Sequence, residues 1–210
     1  AIYTGTDIAA DGVGGPICGW APTNRDGSAP KEPPHPLLAN GKVRYVGDHI
    51  AVVIAESLEQ AKSAAENVKI DLENLAPVVD LSTAIGNTQI HDEMDDNVYF
   101  DWELGDEKAT ADALGSATKV IELTVTNNRV IPNAMEPRAA VAEYDETSES
   151  YTLYTSSQNP HLTRLVMAAF MMQIPESKLH VVAPDVGGGF GSKIYIYPEE
   201  AVCTWATKKL

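Results

Sequence analysis

The densest apolar run of the chain spans residues 43–55, with Val43, Tyr45 and Val46 followed by Ile50-Ala51-Val52-Val53-Ile54-Ala55. Near-continuous β-branched sequence of this length predicts a strand buried on both faces, with Gly47-Asp48 as a bend. Ser57 and Gln60 then have the spacing of a capping box. Leu58, Ala61, Ala64, Ala65 and Val68 recur at helical intervals behind them, which predicts a helix. A strand over Val68 to Leu72 and the extended segment Pro77-Val78-Val79-Asp80 would complete a β-α-β unit ending near Ile85. Upstream, twelve Gly or Pro lie between positions 11 and 41, including Pro33-Pro34-His35-Pro36, so a long surface loop is expected there.

In the second half, Ile121, Leu123 and Val125 alternate with Glu122, Thr124 and Thr126, the pattern of a half-buried strand over 120–126. A hairpin is expected next, with arms over 139–145 and 151–156 around the polar turn Glu146-Thr147-Ser148-Glu149. Asn159 offers an N-cap with Pro160 at the first helical position, and Leu162, Leu165, Val166, Ala169 and Phe170 mark one face of a helix reaching about Met172. Met167, Met171 and Met172 are read as core filler. A short strand, Leu179 to Ala183, runs into Pro184-Asp185-Val186-Gly187-Gly188-Gly189-Phe190-Gly191-Ser192-Lys193. The last helix starts at Pro198, with Glu199 and Glu200 in its first turn and Lys208 and Lys209 at its end, as the helix dipole favours.

Charge narrows the function classes. With 15 Lys and Arg against 30 Asp and Glu, the net charge is −15, and the cations are nowhere clustered, which argues against nucleic acid or an anionic membrane surface as partner. Composition is that of a globular protein, 44% hydrophobic and 21% charged. No membrane-spanning stretch and no signal sequence is legible, so a soluble, cytoplasmic protein is expected. Cys18 and Cys203 lack the spacing of a zinc site or a disulfide framework. The start at Ala1 and the stop within a helix suggest a piece of a longer chain. From Asp71 through Glu107 there are eleven acidic residues and no Lys or Arg, densest at His91-Asp92-Glu93-Met94-Asp95-Asp96. The spacing is not that of a calcium loop, and 86–104 is read as a solvated acidic linker.

The glycine run is the most unusual feature, because four glycines in five residues leave backbone N–H groups unshielded and permit positive φ. Ser192 stands between Gly191 and Lys193, which breaks the phosphate-loop spacing, and it also occupies the third-glycine position of the dinucleotide fingerprint. A ligand cradle and a tight structural turn both fit. Gln158, between a strand and a helix cap, is either an amide donor to a ligand or an ordinary cap neighbour. Glu136 and Arg138 read as a structural ion pair. His161 and Arg164 share a helix face without the further ligands a metal requires. Ser156 and Ser157 have no nucleophile elbow around them.

Three segments together resemble the xanthine dehydrogenase/aldehyde oxidase family of molybdenum hydroxylases: Val43-Arg44-Tyr45-Val46-Gly47-Asp48, Asn133-Ala134-Met135-Glu136-Pro137-Arg138-Ala139 and Asp185 to Lys193. Within that family the chain is most similar to the large, molybdopterin-binding subunit of the carbon monoxide dehydrogenase-like branch, form II. The resemblance implies an α+β fold: an α/β-hammerhead domain over 1–85, an acidic linker over 86–104, and over 105–210 the first part of a molybdopterin-binding domain with mixed sheets and packed helices. It implies hydroxylation of CO, an aldehyde or an aromatic heterocycle with oxygen from water. The implied cofactor is molybdenum–molybdopterin cytosine dinucleotide, with 2Fe-2S and FAD on an iron–sulfur and a flavin subunit, in a dimer of heterotrimers.

The resemblance also assigns residues. Gln158 matches the family glutamine whose amide hydrogen-bonds an oxo group of the metal, and Gly188, Gly189, Phe190 and Gly191 match the stretch lying against the cofactor. Glu136 and Arg138 would hold the domain together. No protein side chain ligates the metal, and the general-base glutamate falls downstream of Leu210, so the chain alone is expected to be inactive. The contrasting expectation is a non-catalytic acidic binding or assembly module.

Overall fold

The computed structural model describes residues 1–210 and contains two small sheets. In the first, β1 (Ile2–Thr4) pairs antiparallel with β2 (Ala51–Val53), Ile2 facing Val53 and Thr4 facing Ala51. The apolar run thus finds its partner in the first residues of the chain. Only its middle is regular: Ala51 to Val53 are half-buried rather than enclosed on both faces, and Val43, Tyr45 and Val46 are exposed. A two-stranded ribbon covers one face at most, and the chain bends at Gly47, where φ is +100°. Helix α1 (Gly5–Ala10) follows β1 directly, started by Thr4, whose N–H donates to Asp7 Oδ2 at 2.7 Å.

Helix α2 (Leu58–Glu66) forms where its cap signals place it, Ser57 Oγ accepting from the Gln60 N–H at 3.2 Å. It buries none of its residues. The strand expected over 68–72 and the extended closing segment 77–80 are not strands, and Ile70, Leu72 and Val79 are exposed. The β-α-β unit is therefore not closed, because a strand persists only where a neighbour takes up its backbone hydrogen bonds, and none lies beside this segment. The strand expected over 120–126 is absent for the same reason. Conversely, helix α3 (Glu107–Ser116) forms outside the expected elements, with Asp106 capping it, Oδ1 accepting from the Ala109 N–H at 2.8 Å.

The second sheet holds β3 (Ala140–Asp145), β4 (Ser150–Thr155) and β5 (Leu179–Val182) in the order β3-β4-β5. The hairpin β3–β4 is antiparallel, and β5 runs parallel to β4. Between β4 and β5 the chain crosses over through α4 (Pro160–Val166), which continues as a π-helical turn over Met167–Met172 and ends at Gln173 with φ 54°. Helix α5 (Pro198–Ala206) packs on β3 and β4. One core joins the parts: Ile8, Leu37 and Leu38 from the N-terminal region meet Leu153, Met167, Met171 and Trp205. Trp205 lies edge-on to Tyr3 at 5.0 Å and donates to Asp11 Oδ2 at 2.8 Å.

The acidic stretch 86–104 is tied to the long Gly- and Pro-rich loop rather than surrounded by solvent alone. Arg25 forms a two-pronged pair with Asp101 at 3.0 and 2.7 Å, Lys42 reaches Asp92 at 2.9 Å, and Lys31 pairs with Asp95. Trp20 packs edge-on to Phe100 and Trp102 at 5.2 and 5.7 Å, and Met94 is buried. No three acidic, His or Cys side chains gather in a way that could hold a metal ion. No helix is long and apolar enough to cross a membrane.

Candidate functional site

Parallel pairing of β4 and β5 places their carboxyl ends side by side, the position where ligands sit in parallel sheets. Gln158 follows β4 and the glycine loop follows β5, so topology alone brings the two candidates to one edge. The turn carrying Gln158 is pinned by its neighbours. Ser157 Oγ accepts from the Asn159 N–H at 3.0 Å and bonds Thr163 Oγ1 at 3.1 Å, while Asn159 Oδ1 accepts from the Leu162 N–H at 3.4 Å and Pro160 starts the helix.

Gln158 is stitched to the loop through three bonds. Its N–H donates to the Lys193 carbonyl at 2.9 Å, and its Oε1 accepts from the N–H groups of Gly191 and Lys193 at 3.0 and 3.2 Å. Both neighbours of that side-chain atom are donors, so it must be the oxygen, which fixes the orientation of the amide without further assumption. The residue is exposed, and its NH2 end has no partner within the chain. The N–H groups of Gly189 and Phe190 are likewise unpaired within the chain.

The loop leaves no room for side chains at its closest approach. A Cβ on Gly189 would lie 2.3 Å from both Cδ and Oε1 of Gln158. Gly191 has φ +88°, a conformation that L side chains rarely adopt. Phe190 nevertheless holds φ 51° with its residue 72% exposed, an uncommon state for a bulky residue and the kind of local strain that clusters at ligand sites.

Glu136 and Arg138 do not pair with each other, contrary to the ion pair read from their spacing. Glu136 Oε2 accepts from the Lys193 ammonium at 2.7 Å and from the Gly187 N–H at 2.7 Å, and these two contacts hold its carboxyl below the ordinary glutamate range. The Arg138 guanidinium stacks 3.2 Å above the Tyr197 ring and lies 3.8 Å from Glu199. Lys193 was legible only as the last residue of the loop. Nothing in a lysine flanked by Ser192 and Ile194 signals that its side chain is buried, since the burial depends on a carboxylate 57 positions away. His161 is exposed on α4, and Arg164 turns to Glu176 at 3.2 Å, so neither joins the site. The arrangement contains donors, an exposed aromatic ring and no nucleophile–base pair. It is suited to holding an acceptor-rich group rather than to attacking one.

A family model described as the molybdopterin cofactor-binding domain matches residues 90–210, and one described as the aldehyde oxidase and xanthine dehydrogenase a/b hammerhead domain matches residues 2–76. The chain belongs to the aldehyde oxidase and xanthine dehydrogenase family of molybdenum hydroxylases. Among relatives, it is 35% identical over 178 residues to the nicotine 6-hydroxylase large subunit of Paenarthrobacter nicotinovorans, covering 83% of this chain and 21% of that protein. It is 34% identical over 181 residues to the carbon monoxide dehydrogenase large chain of Hydrogenophaga pseudoflava, covering 77% of this chain and 22% of that one. Among solved structures, quinoline 2-oxidoreductase from Pseudomonas putida 86 superposes with a TM-score of 0.82 at 31% identity, over 100% of this chain and 26% of that one. The chain thus spans about a fifth of the length of these two relatives. Family membership makes the α+β architecture and a molybdopterin-binding role for the second half plain findings.

Proposed function

We propose that this chain supplies one wall of the molybdenum-cofactor pocket in the large subunit of a hydroxylase that oxidises CO or a related small substrate, an aldehyde or an aromatic heterocycle. The observation that carries the reading is the unpaired Gln158 NH2, aimed by two loop amides whose own loop has no space for a Cβ at Gly189. When bound, the molybdenum–pterin group supplies two-electron oxidation with oxygen drawn from water. The residues here bind and orient. Gln158 donates a hydrogen bond to an acceptor on the cofactor, the bare backbone of Gly188, Gly189 and Gly191 admits close approach, and Phe190 lines the wall. In this reading the general-base carboxylate comes from another part of the protein, so the chain alone is inactive. In the same reading the pterin would carry cytosine dinucleotide, and an iron–sulfur and a flavin subunit would supply 2Fe-2S and FAD as electron carriers, in a cytoplasmic dimer of heterotrimers. We assign the hammerhead unit to 1–85, the acidic connection to 86–104 and the start of the cofactor domain to 105–210.

The decisive experiment measures molybdenum, and the nucleotide released by acid, on the parent large subunit purified with its partners. Near-stoichiometric molybdenum with a cytosine nucleotide is expected. The Gly189→Val variant should fold and lose molybdenum, because its side chain occupies the space of the Gln158 amide. A folded wild-type complex without molybdenum would overturn the reading in favour of an assembly module, and full occupancy in the Gly189→Val variant would remove the loop from the pocket.

A further inference from the structure

We propose that Glu136 and Lys193 are positioning residues that latch the 187–193 loop and thereby aim the Gln158 amide, an inference that rests on the cofactor reading above. A single carboxylate oxygen carries the argument. Glu136 Oε2 accepts from the Gly187 N–H at one end of the loop and from the Lys193 ammonium at the other, each at 2.7 Å, so one atom closes the loop as a staple would. The ammonium also donates to the Glu136 backbone carbonyl at 2.9 Å.

The side chain of Lys193 is 1% exposed, and an ammonium so far from water persists only with a partner in hydrogen-bond reach. Its backbone then does the aiming. The Lys193 N–H donates to Gln158 Oε1 and its carbonyl accepts from the Gln158 N–H, so the contacts run from Glu136 through Lys193 to the amide that faces the ligand. Arg138, the cation two positions from Glu136 in sequence, is engaged with Tyr197 and Glu199 and does not duplicate the latch. The lowered pKa of Glu136 agrees with a carboxylate that stays ionised.

The test uses the full-length large subunit in its complex, with two variants. E136Q keeps the shape and removes the charge. E136Q/K193M removes both charges and leaves no ammonium buried without a partner, so it also carries the test if E136Q does not fold. In E136Q, amide hydrogen exchange across 187–193 should speed up by about tenfold or more relative to 150–155, the scale of losing a hydrogen bond to a charged group, and molybdenum per chain should fall. In the double variant the melting temperature should return toward wild type while loop exchange and molybdenum do not, since a neutral pair of the right size restores stability but not the staple. Unchanged exchange and molybdenum in E136Q would overturn the proposal. So would a double variant that recovers both, because the pair would then contribute stability alone. A wild-type complex that lacks molybdenum would instead overturn the cofactor reading, and the exchange comparison would then decide the latch by itself.

Discussion

Leu153 and Leu123 sit in the same kind of sequence, each an apolar residue alternating with polar neighbours, and they end in opposite environments. Leu153, on β4, is 0% exposed, with β3 on one side, β5 on the other and α5 against its face. Leu123 is 82% exposed on a segment with no ladder partner at all. The contrast extends to the surroundings. Residues 136–206, with Ile8, Leu37 and Leu38 from the N-terminal region, enclose Met167, Met171, Ala201 and Trp205, whereas Ile121, Val125, Val130 and Ile131 all lie open. Alternation specifies which face of a segment is apolar; whether that face is covered depends on a second segment that the alternation does not name.

The largest expected effect is at the closed end of this comparison. Leu153→Ala should lower stability by about 3 kcal/mol, because it removes a fully buried side chain and opens a cavity in the core. Urea unfolding of the 210-residue chain followed by far-UV circular dichroism measures it as a drop in midpoint. A loss below about 1 kcal/mol would mean that the second sheet does not enclose its inner face as described.

Next in size is the helix that separates the two parallel strands. Asn159→Ala removes the side chain that accepts from the Leu162 N–H and frees the first turn of α4, an effect of about 1 kcal/mol. Because Asn159 also adjoins Gln158, the same variant should loosen the Gln158 amide, and if the proposed cofactor wall is correct, molybdenum retention in the complex should fall alongside the unfolding midpoint. Loss of stability with unaltered retention would separate the cap from the site.

The pattern of what could be read follows from range. Signals contained in a few residues were legible: Ser57 capping α2, Asn159 and Pro160 starting α4, and the hairpin turn between β3 and β4. Helix α3 rests on an equally local signal, the Asp106 cap, at the end of the acidic stretch. Features that needed a distant partner were misread or invisible. The apolar run at 50–55 pairs with residues at the chain's start, and the strands expected at 68–72 and 120–126 have no partner in the chain. For the site, the glycine loop and Gln158 could be named from the sequence, and only the parallel pairing of β4 and β5 brings them together. The pairing of Lys193 with Glu136 is not legible: spacing points Glu136 to Arg138, and the burial of Lys193 depends on a carboxylate 57 positions away.

The smallest effect tests the open end of the comparison. Leu123→Ala removes a side chain that touches mostly water, so the stability of the 210-residue chain should change by less than about 0.5 kcal/mol. Made in the full-length large subunit, the same substitution has a different expected outcome if the alternation of Ile121, Leu123 and Val125 marks a strand that gains its neighbour there. It should then cost about 2 kcal/mol or more, approaching the Leu153→Ala value. Near-zero loss in both contexts would make the segment an exposed connection whose pattern is accidental. A loss above 1 kcal/mol in the short chain would mean that residues 120–126 already find a covering surface, and the division between a closed and an open half of this molecule would fall.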